Sequence, residues 1–237
     1  MNVGVIPARL HSTRFPQKIL ALIEDKPMVV QVYERARQAS SLEKVIVAID
    51  NEETQRALEP FNLPIAMTDP DLPSGTDRVA AVVRDLEAEI VVNIQADEPF
   101  LHPTVIDRMV LAFTTPKVQM VTAVSTELAP EDIINPNVVK VLLDEEQQAV
   151  AFRRKPENFE IGGYYRHLGL YAFRKTVLLK FTSLSPTVNE RRQRLEQLRA
   201  LDHGIPIYAV LTDFPYRGVD TPEDLKVLLQ EKKDLGA

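Results

Sequence analysis

NVGVIPARLHSTRFPQK, Asn2–Lys18, joins an apolar run to a basic loop. Val3, Val5 and Ile6 make a run of strand length, and Arg9, Arg14 and Lys18 follow among Pro, Ser and Thr. No acidic residue occurs before Glu24, although the whole chain carries a net charge of −6. A solvated loop ordinarily mixes signs. The stretch is therefore either a plain surface loop or the contact for a small anionic ligand.

Outward from this stretch, strand-like runs and helical patterns alternate. KPMVVQVYERARQA spaces Met28, Val29, Val32, Tyr33 and Ala36 as a helix, and KVIVAID is a buried-strand candidate. SGTDRVAAVVRDLEA places Val79, Val82, Val83 and Leu86 on one helical face. EIVVNIQADEP is a near-continuous apolar strand ending in carboxylates, and HPTVIDRMVLAF is a helix with Pro103 in its first turn. Alternation of this kind predicts an α/β fold, a mostly parallel sheet with helices on both faces. Ligands in such sheets bind at the carboxyl ends of the strands. The basic loop follows the first strand and Asp97 and Glu98 follow a later one, so both fall on the same edge.

After about Pro130 the pattern changes. NVVKVLLD and AVAFRRK flank EEQQ as a hairpin, RHLGLYAFRK is a further strand, and NERRQRLEQLRALDHG reads as one helix ended by Gly204. IPIYAVLT is a strand ahead of GVDTPEDLKVLLQEKK, where Thr221 is the expected N-cap and Pro222 the first helical residue. With no repeat, low-complexity tract or flexible linker, residues 1–237 read as one domain with a β-rich insertion around 130–175.

The composition is that of a globular chain, 45% apolar and 26% charged. A pI near 5.4 argues against a nucleic-acid partner. The absence of cysteine excludes disulfides, thiolate zinc sites and a cysteine nucleophile. No run approaches the length of a membrane span and no signal-peptide pattern is seen, so the expectation is a cytoplasmic protein without membrane insertion.

Neither GxxxxGK[ST] nor GxGxxG occurs, so phosphate binding must use side-chain cations, and Arg9, Arg14 and Lys18 supply them. Asp97 ends a hydrophobic strand; Asp220 precedes a helix that Thr221 already caps. Each reads as a turn residue or as a ligand for a hard cation, and Mg²⁺ suits two carboxylates beside a polyphosphate. The four histidines match no zinc motif. His167 and Tyr171, four apart in a strand, share a face and read as structural. Leu195, Leu198 and Leu201 form a core stripe.

Taken in order, IPARLHSTRFPQK, KPMVVQVYERA, SGTDR, NIQADEP, NPNVVKVLLD, RHLGLYAFRK, LEQLRALDHG and GVDTPEDL resemble the 3-deoxy-manno-octulosonate (Kdo) cytidylyltransferases, the CMP-Kdo synthetase family, over nearly the whole chain. The resemblance implies a Rossmann-like nucleotidyltransferase fold with a smaller β-rich dimerisation element, a homodimer, and transfer of CMP from CTP to the anomeric hydroxyl of Kdo for lipopolysaccharide biosynthesis. It implies that Arg9, Arg14 and Lys18 contact the triphosphate and that the backbone at Pro7 and Ala8, with Ser74 and Arg78, recognises the nucleotide. Asp97 and Asp220 would hold Mg²⁺, and Gln95, Arg154, His167, Tyr171, Glu196 and Gln197 would line the sugar pocket. Gln17 and Ala96 stand where the family usually has Gly, Arg153 stands where it has Ser, and RKPENFEIGGYYRH replaces its RxPIP continuation. These departures keep two other readings open: a related acid sugar (an amino-substituted Kdo or a sialic acid) as substrate, and a non-catalytic nucleotide-binding relative.

Overall fold

The computed structural model describes residues 1–12, 14–155, 163–214 and 218–234. The chain runs through β1 (Asn2–Ala8), a hairpin of β2 (Leu22–Ile23) and β3 (Lys26–Pro27), α1 (Met28–Ala36), β4 (Lys44–Ile49), α2 (Glu52–Leu58), β5 (Ile65–Met67) and α3 (Gly75–Val83). It continues through β6 (Ile90–Asn93), α4 (Pro103–Leu111), β7 (Met120–Ser125), α5 (Pro130–Ile134), β8 (Lys140–Leu143), β9 (Ala149–Arg153) and β10 (Tyr164–Arg174). It closes with α6 (Lys175–Ser183), α7 (Val188–Gln193), α8 (Gln197–Asp202), β11 (Ile207–Thr212) and α9 (Pro222–Asp234).

The main sheet has the order β11-β7-β10-β6-β1-β4-β5, with β8 added to β10 and β9 to β8. Pairings β1–β4, β1–β6, β4–β5 and β7–β11 are parallel. β10 is antiparallel to β6, β7 and β8. The expected parallel sheet is thus interrupted by one reversed strand, which enters between β6 and β7 and continues into the β8–β9 hairpin. An apolar run specifies a buried strand without specifying its direction.

Both faces are covered, which is why the central strands are apolar throughout. Ile6, Val47 and Val92 pack with Val29 and Val32 of α1 and Ile106 and Met109 of α4. Val3, Val5, Ile46 and Val91 pack on the opposite side with Val79 and Val83 of α3 and Leu178 and Phe181 of α6. Each such aliphatic side chain taken from water contributes about 1.5–3 kcal/mol. Gly4 sits mid-strand because a Cβ there would meet Leu42 Cδ1 at 2.9 Å and Ile94 Cδ1 at 3.0 Å.

The anticipated long helix over 189–204 is instead α7 and α8. Arg194 takes a left-handed backbone, φ 54°, and breaks the helix. The stop at Gly204 (φ +70°) is as expected, with Ile205 N–H bonded to Ala200 O at 2.8 Å. Thr221 caps α9 reciprocally: Asp224 N–H donates to Thr221 Oγ1 (3.2 Å) and Thr221 N–H to Asp224 Oδ2 (2.8 Å).

Candidate active site

The parallel strands all end at one edge, and there the basic loop meets the carboxylates. Lys18 Nζ donates to Asp97 Oδ2 at 2.6 Å and to Asp220 Oδ1 at 3.4 Å, and Arg14 Nη2 donates to Asp220 Oδ1 at 2.8 Å. Asp220 is delivered by the backbone: Val219, fully buried against Ile23, Met28 and Leu228, donates its N–H to Asp97 O at 2.9 Å. Phe15 packs into the same small cluster, so a single apolar contact holds loop and carboxylate together. Gln17, in the glycine-like conformation φ 53°, turns the loop immediately before Lys18. Ala96 is buried in the core and has no positive φ, so its methyl is accommodated without backbone strain.

On the nucleotide side Arg9 is exposed, and its charge acts on Arg78. Ala8 is wholly buried, and Pro7 lies where a Cβ on Gly75 would touch its Cγ at 3.3 Å. Arg78 is buried and donates to Thr68 Oγ1 and to Asp69 O (3.3 Å); its Nη2 lies 3.5 Å from Asp50 Oδ2. Burial lowers its pKa against the pull of Asp50. Asp50 also accepts from Leu10 N–H at 3.0 Å, tying the basic loop to Arg78. Asp50 was missed from the sequence, although its position directly after the run KVIVAI is the same signal that drew attention to Asp97.

Four of the six residues assigned to the sugar pocket fall in two hydrogen-bonded groups, which the charge of Glu196 acting on Tyr171 relates. Tyr171 Oη lies 2.9 Å from His167 Nε2, and Thr122 Oγ1 lies 3.0 Å from the same nitrogen. β10 gains two extra residues opposite β7 between Leu168 and Tyr171, an even number, so His167 and Tyr171 keep one face. Burial depresses the His167 pKa to about 3 and, with help from Glu196, raises that of the Tyr171 phenol. Glu196 accepts from Ser74 Oγ (2.7 Å) and Thr76 Oγ1 (2.5 Å); Asn93 donates to Thr76, and Gln95 to Asn93. Burial raises the Glu196 pKa, and the Thr76 and Ser74 hydroxyls oppose it. Ser74, assigned to the nucleotide, is thus bonded to Glu196, assigned to the sugar. Gln197 is buried at the start of α8.

Arg154 stands apart from both groups, near enough to the basic loop for the charge of Arg14 to act on it. Its Nε donates to Gln193 O (2.9 Å), Nη1 to Pro136 O (3.0 Å) and Nη2 to Arg194 O (3.0 Å). Burial lowers its pKa first, then the charges of Arg14 and Arg194, with Asp220 opposing. The helix break at Arg194 therefore presents a carbonyl to Arg154 and turns Glu196 toward Ser74. The Arg153 side chain donates to the Phe152 carbonyl at 3.3 Å. Half of the altered stretch that follows, residues 156–162, lies outside the described residues. Glu98, which the sequence places on this edge beside Asp97 without giving it a role, is buried; its Oε2 has no hydrogen-bond partner among the described residues, and burial and Asp97 raise its pKa well above the usual carboxyl value.

Among the described residues no three metal-ligating side chains cluster. Asp97 and Asp220 nevertheless flank one ammonium, and two carboxylates with substrate phosphates and water are what Mg²⁺ requires, so the donor set fits.

A mixed sheet that delivers a basic loop and two carboxylates to one edge is the frame of a nucleotidyltransferase. A family model described as Cytidylyltransferase matches residues 3–207. The 3-deoxy-manno-octulosonate cytidylyltransferase of Solibacter usitatus is 45% identical, covering 94% of this chain and 91% of its own, and that of Pelobacter propionicus is 42% identical, covering 95% of each. A solved CMP:2-keto-3-deoxy-manno-octonic acid synthetase complexed with CTP superposes with a TM-score of 0.92 at 34% identity over 98% of both chains. The chain belongs to the 3-deoxy-manno-octulosonate cytidylyltransferase family.

Proposed function

We propose that this protein transfers CMP from CTP to the anomeric hydroxyl of Kdo, releasing pyrophosphate, as a step of lipopolysaccharide biosynthesis. The observation that carries the reading is the convergence of Arg14, Lys18, Asp97 and Asp220 from three separate stretches of chain at one sheet edge. Arg9, Arg14 and Lys18 bind the triphosphate and stabilise charge on the departing pyrophosphate. The Pro7–Ala8 backbone, Ser74 and Arg78 frame the nucleotide. Arg154, near enough to Arg14 and Asp220 for their charges to act on it, is the cation for the sugar's carboxylate, and Gln95, His167, Tyr171, Glu196 and Gln197 provide hydroxyl partners. Neutral His167 and un-ionised Tyr171 hold their hydrogen bonds without bringing charge into the pocket. The anomeric oxygen attacks the α-phosphorus in line, the bond to pyrophosphate breaks and the hydroxyl proton is released. No covalent enzyme intermediate is needed, since positioning and charge neutralisation suffice for phosphoryl transfer. Asp97 and Asp220 would hold Mg²⁺, which when bound lowers the hydroxyl pKa and neutralises phosphate charge.

Pyrophosphate release tests the reading. Release is expected only with CTP, Kdo and Mg²⁺ together, and Asp97→Asn or Asp220→Asn is expected to remove most of it. Turnover of a sialic acid or an amino-substituted Kdo in preference to Kdo would move the substrate within the acid sugars. CTP binding without turnover of any acid sugar would leave only the non-catalytic reading. A homodimer in the cytoplasm belongs to the same proposal; among the described residues no helix is long and apolar enough to cross a membrane.

A further inference from the structure

Lys140 opens β8 inside NVVKVLLD, where alternation would leave every second side chain in solvent, yet it is wholly buried. Four backbone carbonyls surround its Nζ: Asp132 O at 3.2 Å, Asn135 O at 2.9 Å, Val138 O at 2.7 Å and Arg154 O at 2.5 Å. An ammonium has three protons, so at least one is shared between two carbonyls. One of these acceptors belongs to α5 and two to the turn that leaves it, and the fourth is the carbonyl of Arg154 itself. Arg154 in its turn seats Nη1 on Pro136 O, in the middle of the same turn. Lys140 thus grips both the backbone from which the Arg154 side chain departs and the surface on which its guanidinium rests. The α5 end of this segment is also tied by Arg166, whose Nη2 lies 3.4 Å from Asp132 Oδ1. Among the described residues no carboxylate pairs with the Lys140 ammonium; burial lowers its pKa, and the nearby Asp132 charge offsets part of that.

We propose that Lys140 is a positioning residue for the acid-sugar half of the site, fixing Arg154 through the Asp132–Val138 carbonyls while touching neither substrate. This rests on the reading of Arg154 as the carboxylate anchor. With the ammonium gone, four carbonyls lose a donor, the turn relaxes and the guanidinium is no longer held opposite Arg14 and Asp220. The triphosphate contacts lie on other elements, so CTP binding is left in place.

The test is steady-state pyrophosphate release by Lys140→Met, with KM taken separately for Kdo and for CTP and folding checked by circular dichroism and melting. KM for Kdo is expected to rise by about tenfold or more, the scale on which a displaced orienting group acts. KM for CTP should stay within about twofold, since a general loosening of the fold would move both constants. Arg166→Gln, a half-buried change at the other tether, is expected to give a smaller rise in the Kdo constant alone, and it supplies the answer if Lys140→Met does not fold. A wild-type enzyme that turns over no Kdo defeats the substrate reading itself. A wild type that turns over Kdo, with both variants leaving its KM unchanged or raising both constants in parallel, defeats the role of Lys140.

Discussion

His167 occupies a place where an imidazole can hydrogen-bond but resists ionisation. Its ring lies edge-on to Phe152, with centroids 5.1 Å apart, and its Nε2 is shared by Tyr171 and Thr122. Unfolded, the ring takes a proton as pH falls through 6.5; folded, it does so only near 3. Between those values the unfolded chain binds the extra proton, so this contribution is fully present above about pH 6.5 and is lost as pH falls, by at most about 1.4 kcal/mol per unit. The raised carboxyls of Glu98 and Glu196 have the opposite sign: their contribution is present below the ordinary carboxyl pKa and is lost as pH rises through the folded value. Comparing wild type with His167→Gln separates the terms, because both proteins retain the two glutamates. Urea unfolding is expected to show wild type losing stability faster than the variant between about pH 7 and pH 5. Parallel curves would place acid sensitivity elsewhere and would mean that the ring can be protonated in the folded state.

At the scale of elements, the loop after β1 is shaped by Gln17. A left-handed residue is required just before Lys18, and a non-glycine residue there costs about 1 kcal/mol or somewhat more; the side chain recovers part of this by donating to Glu53 Oε1 at 3.0 Å. Gln17→Val, β-branched at positive φ, is expected to lower unfolding free energy by about 1–2 kcal/mol and to weaken CTP binding. Gln17→Gly should preserve both, measured by denaturant titration and calorimetry. Equal behaviour of Val and Gly would refute a left-handed constraint on the loop. The sequence shows the need for glycine here only through the family pattern, since nothing in RFPQK announces a positive φ. Other elements were plainly legible. The apolar runs at Val3–Ile6 and Ile90–Ile94 mark central strands, and Thr221-Pro222 with Asp224 marks a capped helix start; the alternation also placed Asp97 and the basic loop on one edge. The break at Arg194 was hidden because Leu195, Leu198 and Leu201 continue a helical stripe across it. The reversal of β10 was hidden because strand direction leaves no mark in LYAF, and Lys140 because a lysine among valines ordinarily points to water.

For the molecule as a whole, 28 basic residues stand against 34 acidic ones, and Arg9, Arg14, Lys18, Arg78 and Arg154 are drawn to the one edge where the acidic Asp97 and Asp220 also gather. Two of these cations pair off with both carboxylates: Arg14 and Lys18, which the proposed function gives to phosphate, are bonded to Asp220 and Asp97, which it gives to Mg²⁺, so that this quartet neutralises itself. On that proposal neither ligand binds without displacing this pairing. Mg²⁺ arriving alone must compete with Lys18 for Asp97, and CTP arriving alone must draw Lys18 and Arg14 from carboxylates that would then be left unpaired. When both bind, each ligand takes the partner the other releases. Mg²⁺ and CTP are therefore expected to strengthen each other's binding by the same factor, about five- to a hundredfold, as reciprocity of coupling demands. Calorimetry on all four sides of the binding cycle, corrected for Mg²⁺ binding by free CTP, measures it. Lys18→Met removes the ammonium that links the two, so Mg²⁺ alone should bind this variant more tightly than wild type, while CTP binds less tightly and the coupling shrinks. Wild-type protein that bound Mg²⁺ equally well with and without CTP would show instead that the Lys18 contacts cost nothing to break, and the self-neutralised site would lose its role in ordering the ligands.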